Sequence, residues 1–267
     1  MKFPGARVSR PRSGAVISAL LSAVLSACVV ALAACSGKSG PRTHAQAQAA
    51  PRVWPRGLAA PVKITDQLTL AIPLPYERSA IEPGGPRPSP AAQSGHGEVQ
   101  FDFFLPGFSG YTLQNYRNDS DPNKVEVVYV HAGNPHEADP GAPGEYPPNM
   151  LKRSLEEILD PDRYRDQYGL RCYQWRTLAH RLTCYGPRDA AGEDIMLTVV
   201  VAPYPADVTF PEMQARYLSK RYGGVRISWR THVRNLPRWR AIDAQIWKFI
   251  DAWNVAQQPG AAAAPGG

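Results

Sequence analysis

The sequence lacks the motifs by which common enzyme classes are recognised. It has no glycine-rich phosphate loop, no paired-carboxylate signature and no cysteine–histidine nucleophile arrangement. The segment nearest to a hydrolase motif is Gly107-Phe-Ser-Gly-Tyr111, in which Ser109 follows a glycine by two residues. A nucleophile elbow needs a second glycine two residues after the serine, where Tyr111 stands instead. We predict a turn here and no catalytic residue, with a hydrolase that uses Ser109 as an alternative.

Patterns of metal ligands are also scarce. His131, His136 and Glu137 cluster in the sequence, but two histidines five residues apart match no helical metal pair. The intervening Gly133 and Pro135 exclude the helix that would align them. We therefore predict a polar loop, no metal site and no cofactor. This loop belongs to a Pro/Gly-rich stretch over residues 132–148, and loops of that length are either functional or mobile.

Cysteine is rare, with four in 267 residues, and only two lie beyond the N-terminal region. Polar and apolar residues alternate on both sides of Cys172 and of Cys184, which indicates two strands. A hairpin centred on Leu178 places Cys172 directly opposite Cys184. Directly opposed residues of antiparallel strands come close enough for a disulfide. We predict this disulfide, which would form in an oxidising compartment.

Charged side chains are absent from residues 15–34, and this run follows a short basic segment. The basic residues are Lys2, Arg7, Arg10 and Arg12. This layout is typical of a secretory signal, although the run is also long enough for a membrane helix. Its last residues, Leu32-Ala-Ala-Cys35, resemble the lipobox of bacterial lipoproteins. The resemblance implies a signal peptide over residues 1–34 and an acylated N-terminal Cys35, with an uncleaved helical anchor as the alternative.

The residue after Cys35 is Ser36 rather than aspartate. In the sorting pattern of enterobacterial lipoproteins, which this position resembles, serine allows transport to the outer membrane. The resemblance therefore implies a lipid anchor in the outer membrane on its periplasmic side.

Most of the excess positive charge lies in the leader. The whole chain carries a net charge of +7, but without the leader 26 basic and 23 acidic side chains remain, a net charge of +3. This balance gives no support to nucleic-acid binding. Composition further predicts a flexible tether over residues 35–60, a globular domain over residues 61–255 and a disordered tail over residues 256–267.

Apolar patterning predicts strands over residues 62–73, 98–105, 124–131 and 195–202, besides the cysteine hairpin. It predicts helices over residues 150–159 with Asn149 as the cap, over residues 210–222, and in an amphipathic C-terminal segment from Pro237 onward. Strands and helices do not alternate regularly. We therefore predict a single α+β domain with a largely antiparallel sheet.

Acidic residues are missing from residues 216–240, which hold eight arginines and lysines. Alternation over residues 225–234 points one set of side chains away from the core. This set is Arg226, Ser228, Arg230, His232 and Arg234. One interpretation is a docking surface for an acidic partner or for anionic lipid head groups. The other is a solvated face whose arginines pair with acids such as Glu156, Glu157 or Asp160.

Two segments, residues 101–112 and residues 125–130, are similar to the lipoprotein immunity proteins encoded beside type VI secretion lipase effectors. Their sequences are FDFFLPGFSGYT and VEVVYV. The resemblance implies a periplasmic protein that binds a secreted phospholipase effector and blocks it, without being an enzyme itself. A structural or assembly lipoprotein of the cell envelope is the alternative.

Overall fold

The computed structural model describes residues 57–77, 97–206 and 208–256, all within one compact unit, Pro51–Gly267. The predicted signal peptide, the lipidation site Cys35, most of the tether and nearly all of the tail lie outside the described residues. The described residues form an α+β domain with a large antiparallel sheet, as predicted.

The strands are β1 Val62–Thr65, β2 Leu68–Leu70, β3 Glu98–Phe104, β4 Lys124–Ala132, β5 Leu159–Gln167, β6 Leu170–Trp175, β7 Arg181–Pro187, β8 Asp194–Val200, β9 Glu212–Ser219 and β10 Val225–His232. Eight of them form one sheet in the order β3-β4-β10-β9-β8-β7-β6-β5, and every neighbouring pair is antiparallel. A separate hairpin joins β1 to β2. The helices are α1 Pro147–Glu157 and α2 Trp239–Trp253.

One face of the sheet, which we call the inner face, forms the core beneath α2. Directly opposed residues cross seven strands in a single row, and each is almost completely buried. The row is Cys172, Cys184, Leu197, Ala215, Trp229, Val127 and Phe101. Helix α2 covers this face with Ile242, Ile246 and Ile250, which recur at helical spacing. The predicted amphipathic C-terminal helix is therefore confirmed.

A buried polar cluster fixes α2 to the sheet. The Asp243 side chain, 2% exposed, accepts hydrogen bonds from the Tyr217 hydroxyl at 2.6 Å and from Trp229 Nε1 at 3.0 Å. Arg188 Nη1 lies 3.4 Å from the same carboxylate, and its guanidinium stands over the rings of Tyr217 and Trp247. Burial raises the pKa of Asp243, against the lowering effect of Arg188 and the hydrogen bonds.

The predicted disulfide between Cys172 and Cys184 is present. The two residues are directly opposed on β6 and β7, in the register that the hairpin centre predicts. Both are buried in the inner row, so the covalent bond joins two strands at the level of the core.

The predicted helix over residues 210–222 is wrong, because residues 212–219 form strand β9. Met213, Ala215 and Tyr217 point into the core, while Gln214 and Arg216 alternate with them on the other face. This period of two suits a strand. The proline and glycines at the ends of the segment indicated a helix. The segment forms a strand nevertheless, because it pairs with β8 and β10.

The predicted helix over residues 150–159 is shifted. Helix α1 begins at Pro147, so Asn149 lies inside it rather than at the cap. The Asn149 side chain instead donates to the backbone oxygens of Glu137 at 2.8 Å and Asp139 at 2.7 Å. The next residues form β5, whose Pro161 is tolerated because β5 is an edge strand.

Two further boundaries differ from the prediction. The strand expected over residues 62–73 turns at residues 66–67 and becomes the β1–β2 hairpin. Strand β10 ends at His232, so Arg234 belongs to the following 3-10 helix, Val233–Arg238.

We expect the disulfide to contribute about 3 kcal/mol to the free energy of unfolding, because it closes a loop of 12 residues in the unfolded chain. Urea unfolding of the oxidised and the reduced protein measures this difference. The double variant Cys172→Ala/Cys184→Ala should be insensitive to reductant. Equal midpoints for the oxidised and reduced wild type would contradict a stabilising bond.

Asp243→Asn should lower the free energy of unfolding by about 2 kcal/mol, because one carboxylate oxygen that faces buried donors becomes an NH2 group, which leaves a buried donor without its acceptor. Asp251→Asn is the matched control on the same helix. Asp251 pairs with Arg221 at 2.7 Å, but its side chain is 44% exposed, so its loss should cost less than about 1 kcal/mol. Similar losses in chemical denaturation would show that burial of Asp243 does not determine its effect.

Candidate partner-binding surface

The sheet face opposite α2, which we call the outer face, is polar and aromatic. A second row of directly opposed residues crosses all eight strands here. The row is Tyr164, Tyr173, Thr183, Thr198, Gln214, Arg230, Glu126 and Asp102. Aromatic residues occupy the β5–β6 end and charged residues occupy the end formed by β10, β4 and β3. The predicted partner-binding residues Arg226 and Arg230 lie on this face of β10.

Arg226 holds the Pro/Gly-rich loop onto the sheet. Its Nη2 donates to Oε1 of Glu137, whose side chain is only 6% exposed. Glu137 also accepts hydrogen bonds from the backbone N–H groups of Asn134 at 3.2 Å and Glu145 at 2.7 Å. Burial alone would raise the pKa of Glu137, but the hydrogen bonds from Arg226 and the backbone lower it below its usual value. Arg226 is therefore a structural anchor of this loop.

Arg230 also has acidic neighbours, but it is more accessible. Its Nε and Nη2 donate to the two Glu126 carboxylate oxygens at 3.2 and 3.1 Å. Its Nη1 lies 3.9 Å from Glu212 Oε2. The Arg230 side chain is 45% exposed, so it is accessible to a partner in the folded protein.

His232 and Arg234 lie where β10 ends. His232 Nδ1 accepts a hydrogen bond from the Arg234 backbone N–H at 3.1 Å and so caps the 3-10 helix. Burial and the nearby Arg234 charge lower the pKa of His232, which favours the neutral ring at neutral pH. The Arg234 guanidinium donates to Asn123 Oδ1 at 2.7 Å.

The acids that face β10 are not those expected from the sequence. Glu126 comes from the neighbouring strand and Glu137 from the loop, whereas Glu156 and Glu157 lie at the end of α1. At that end of α1, the guanidinium of Arg176 donates to the backbone oxygens of Leu155 and Glu156. The charges of Arg226 and Arg230 are therefore largely balanced within the fold.

An aromatic groove at the other end of the outer face was not predicted. It lies between α1 and the β5–β6 hairpin and has a volume of about 640 Å³. Residues that line it include Leu151, Gln167, Tyr168, Arg171, Tyr173 and Tyr185. The local signal for its hairpin was Gly169, because two-residue type I′ turns favour glycine at their second position.

The alternative catalytic residue, Ser109, lies in the turn that follows β3. Its backbone oxygen accepts a hydrogen bond from the Phe104 N–H at 2.8 Å. In the parts of the chain that the structure describes, no three His, Cys, Asp or Glu side chains are grouped to hold a metal ion. None of the helices in residues 57–77, 97–206 and 208–256 is long and apolar enough to cross a membrane.

No protein-family model and no curated protein matches the chain. Among solved structures, the chain is similar to an immunity protein of the type IV secretion system of Stenotrophomonas maltophilia. The two share 12% identity, and the alignment covers 74% of this chain and 94% of that chain with a TM-score of 0.46. A TM-score of this size at this identity does not establish a shared fold.

Arg226→Ala should lower the free energy of unfolding by about 2 kcal/mol, because it leaves the Glu137 carboxylate buried without its cation. Arg230→Ala is the matched control on the same strand and should cost less than about 1 kcal/mol, since Arg230 and Glu126 are partly solvated. Guanidinium unfolding monitored by tryptophan fluorescence measures both. A larger effect at Arg230 would contradict the assigned roles.

Proposed function

We propose that this protein is an exported lipoprotein that binds and neutralises a secreted phospholipase effector. In this proposal the lipid on Cys35 anchors the chain at the periplasmic side of the outer membrane. Residues 35–60 form the tether, and the α+β domain presents its outer face to the effector.

The disulfide is the observation that carries the proposal. Cys172 and Cys184 are bonded in the core of the sheet, far in sequence from the leader. Disulfides persist mainly in exported proteins. Two independent features, the leader with its lipobox-like end and the bonded cysteine pair, thus support the same compartment.

The outer face supports a binding role. Its side chains stand on paired strands, which hold them in more precise positions than a loop would. This suits specific recognition of a partner. Arg230 and Arg234 lie near one another in sequence at the accessible end of β10, with His232 between them. In the proposal Arg234, whose guanidinium binds the neutral Asn123 side chain, meets acidic groups of the effector, which would mainly raise the association rate. Arg230, whose charge Glu126 balances, contributes hydrogen-bond donors to the same contact. Arg226 completes this end of the surface while it anchors the loop.

The assignment to an immunity protein rests on the similarity of residues 101–112 and 125–130 to lipoprotein immunity proteins of lipase effectors. In the structure these two segments are neighbours, because β3 and β4 pair along most of their length. Residues 101–104 of the first segment pair with the second segment or its preceding residue, whereas residues 105–112 form the turn that follows β3. The alternative to an immunity protein is a structural or assembly lipoprotein of the envelope, and the following experiment distinguishes the two.

Full-length lipidated protein, purified from detergent-solubilised envelope, should recover a secreted phospholipase that mass spectrometry identifies. A variant in which a secretory leader that is cleaved without lipidation replaces residues 1–35 should leave the membrane fraction but still bind the enzyme, because the domain makes the contact. The variant Arg230→Glu/Arg234→Glu should bind it more slowly, with a weaker dependence on salt. Recovery of envelope assembly proteins alone would favour the structural role.

A further inference from the structure

The aromatic groove has a rigid and conformationally unfavourable tip. Tyr168 has φ of +52°, in the left-handed region that bulky residues rarely adopt. Its ring is 50% exposed, so packing of the ring does not compensate for this conformation. A hydrogen bond restrains this part of the backbone, because Trp239 Nε1 donates to the backbone oxygen of Tyr168 at 3.0 Å. Unfavourable conformations that the surrounding structure maintains are found most often at functional sites.

Contacts with neighbouring side chains support the aromatic walls of the groove. The ring of Tyr173, which lines the groove, lies 5.8 Å from the ring of Tyr164 on the neighbouring strand. The Arg171 guanidinium stands 4.6 Å from the Tyr164 ring centre. The Tyr185 hydroxyl donates to Asp194 at 2.5 Å. Tyrosine and arginine are enriched among the residues that dominate protein–protein binding energy, and fixed side chains lose little entropy on binding.

The charges of the groove restrict its occupant. Asp166 and Arg171 are its charged lining residues, and they pair with each other at 3.0 Å. This exposed pair leaves the groove without a net charge that would attract a charged group. Leu151 and the rings of Tyr168 and Tyr173 instead offer apolar surface, which suits an uncharged, apolar segment.

Addition of a partner strand to the edge of β5 is a poorer alternative. Pro161 removes a backbone donor from this edge, and residues 160–163 interrupt the regular pairing of β5 with β6. Charged side chains and prolines at an edge strand oppose pairing with another chain. The groove beside the edge is therefore the better docking site.

We propose that an uncharged, apolar loop of the effector inserts between Leu151 and the Tyr168 tip, with Tyr168 as the central contact. This inference rests on the proposed function, since it names the surface that binds the effector. In this arrangement Arg230 and Arg234 lie at the rim, while the aromatic groove supplies most of the affinity.

Photo-crosslinking in the full-length lipidated protein tests the location. Tyr168 and, separately, Tyr204 are replaced by p-benzoylphenylalanine. Tyr204 is the matched control, because it is also an exposed tyrosine, at 44%, and it does not line the groove. Position 168 should yield a covalent adduct with a secreted phospholipase, and position 204 should not.

The substitution Tyr168→Gly tests the contact without harming the fold. Glycine adopts positive φ freely, so the variant should be as stable as the wild type or more stable. Its affinity for the phospholipase recovered by the wild type should fall at least tenfold, while Tyr204→Ala should bind normally. If Tyr168→Gly binds with wild-type affinity, or if adducts form at position 204 alone, the effector does not bind in the groove. Either result would contradict this inference but not the proposed function. Absence of a phospholipase from both the wild-type capture and every adduct would overturn both.

Discussion

The buried carboxylate of Asp243 determines how the domain is held together. It lies on α2 and receives hydrogen bonds from β9 and β10, and Arg188 approaches it from the segment after β7. A charge in this position is tolerated only because donors surround it. These hydrogen bonds join α2 to β9 and β10 and favour the orientation that places Ile242, Ile246 and Ile250 over the inner row.

With the inner face closed by α2, the outer face carries the polar side chains, and α1 and the Pro/Gly-rich loop cover part of it. Each strand gives half of its side chains to each face, so the same eight strands that build the core also present Tyr164, Arg230 and the residues between them. The two ends of the outer face differ because their neighbours differ. Near β10 the loop and β4 bring glutamates, whereas near β5 the helix α1 forms one wall of an aromatic groove. The aromatic groove and the paired charges thus lie at opposite ends of the outer row, with Thr183, Thr198 and Gln214 between them.

Features encoded within one segment could be predicted from the sequence. The disulfide followed from the midpoint of the hairpin, and α2 from apolar residues at helical spacing. Strand β9 was missed because its ends carry helix-like signals, although its interior alternates. The partners of β10 could not be predicted, since Glu126 and Glu137 are separated from Arg230 and Arg226 by 104 and 89 residues. The groove was missed for the same reason, because α1 and the hairpin form it together.

The chain enters and leaves the described domain beside one short segment. Near its start, the Ala59 N–H donates to the Ile72 oxygen and the Leu74 N–H donates to the Gly57 oxygen. At the end of α2, the Ala71 N–H donates to the Trp253 oxygen. A mechanical pull on residue 57 would therefore act first on residues 72–74 and then on the end of the helix that closes the core. Force applied at residue 57 would therefore reach the core before it reaches the groove.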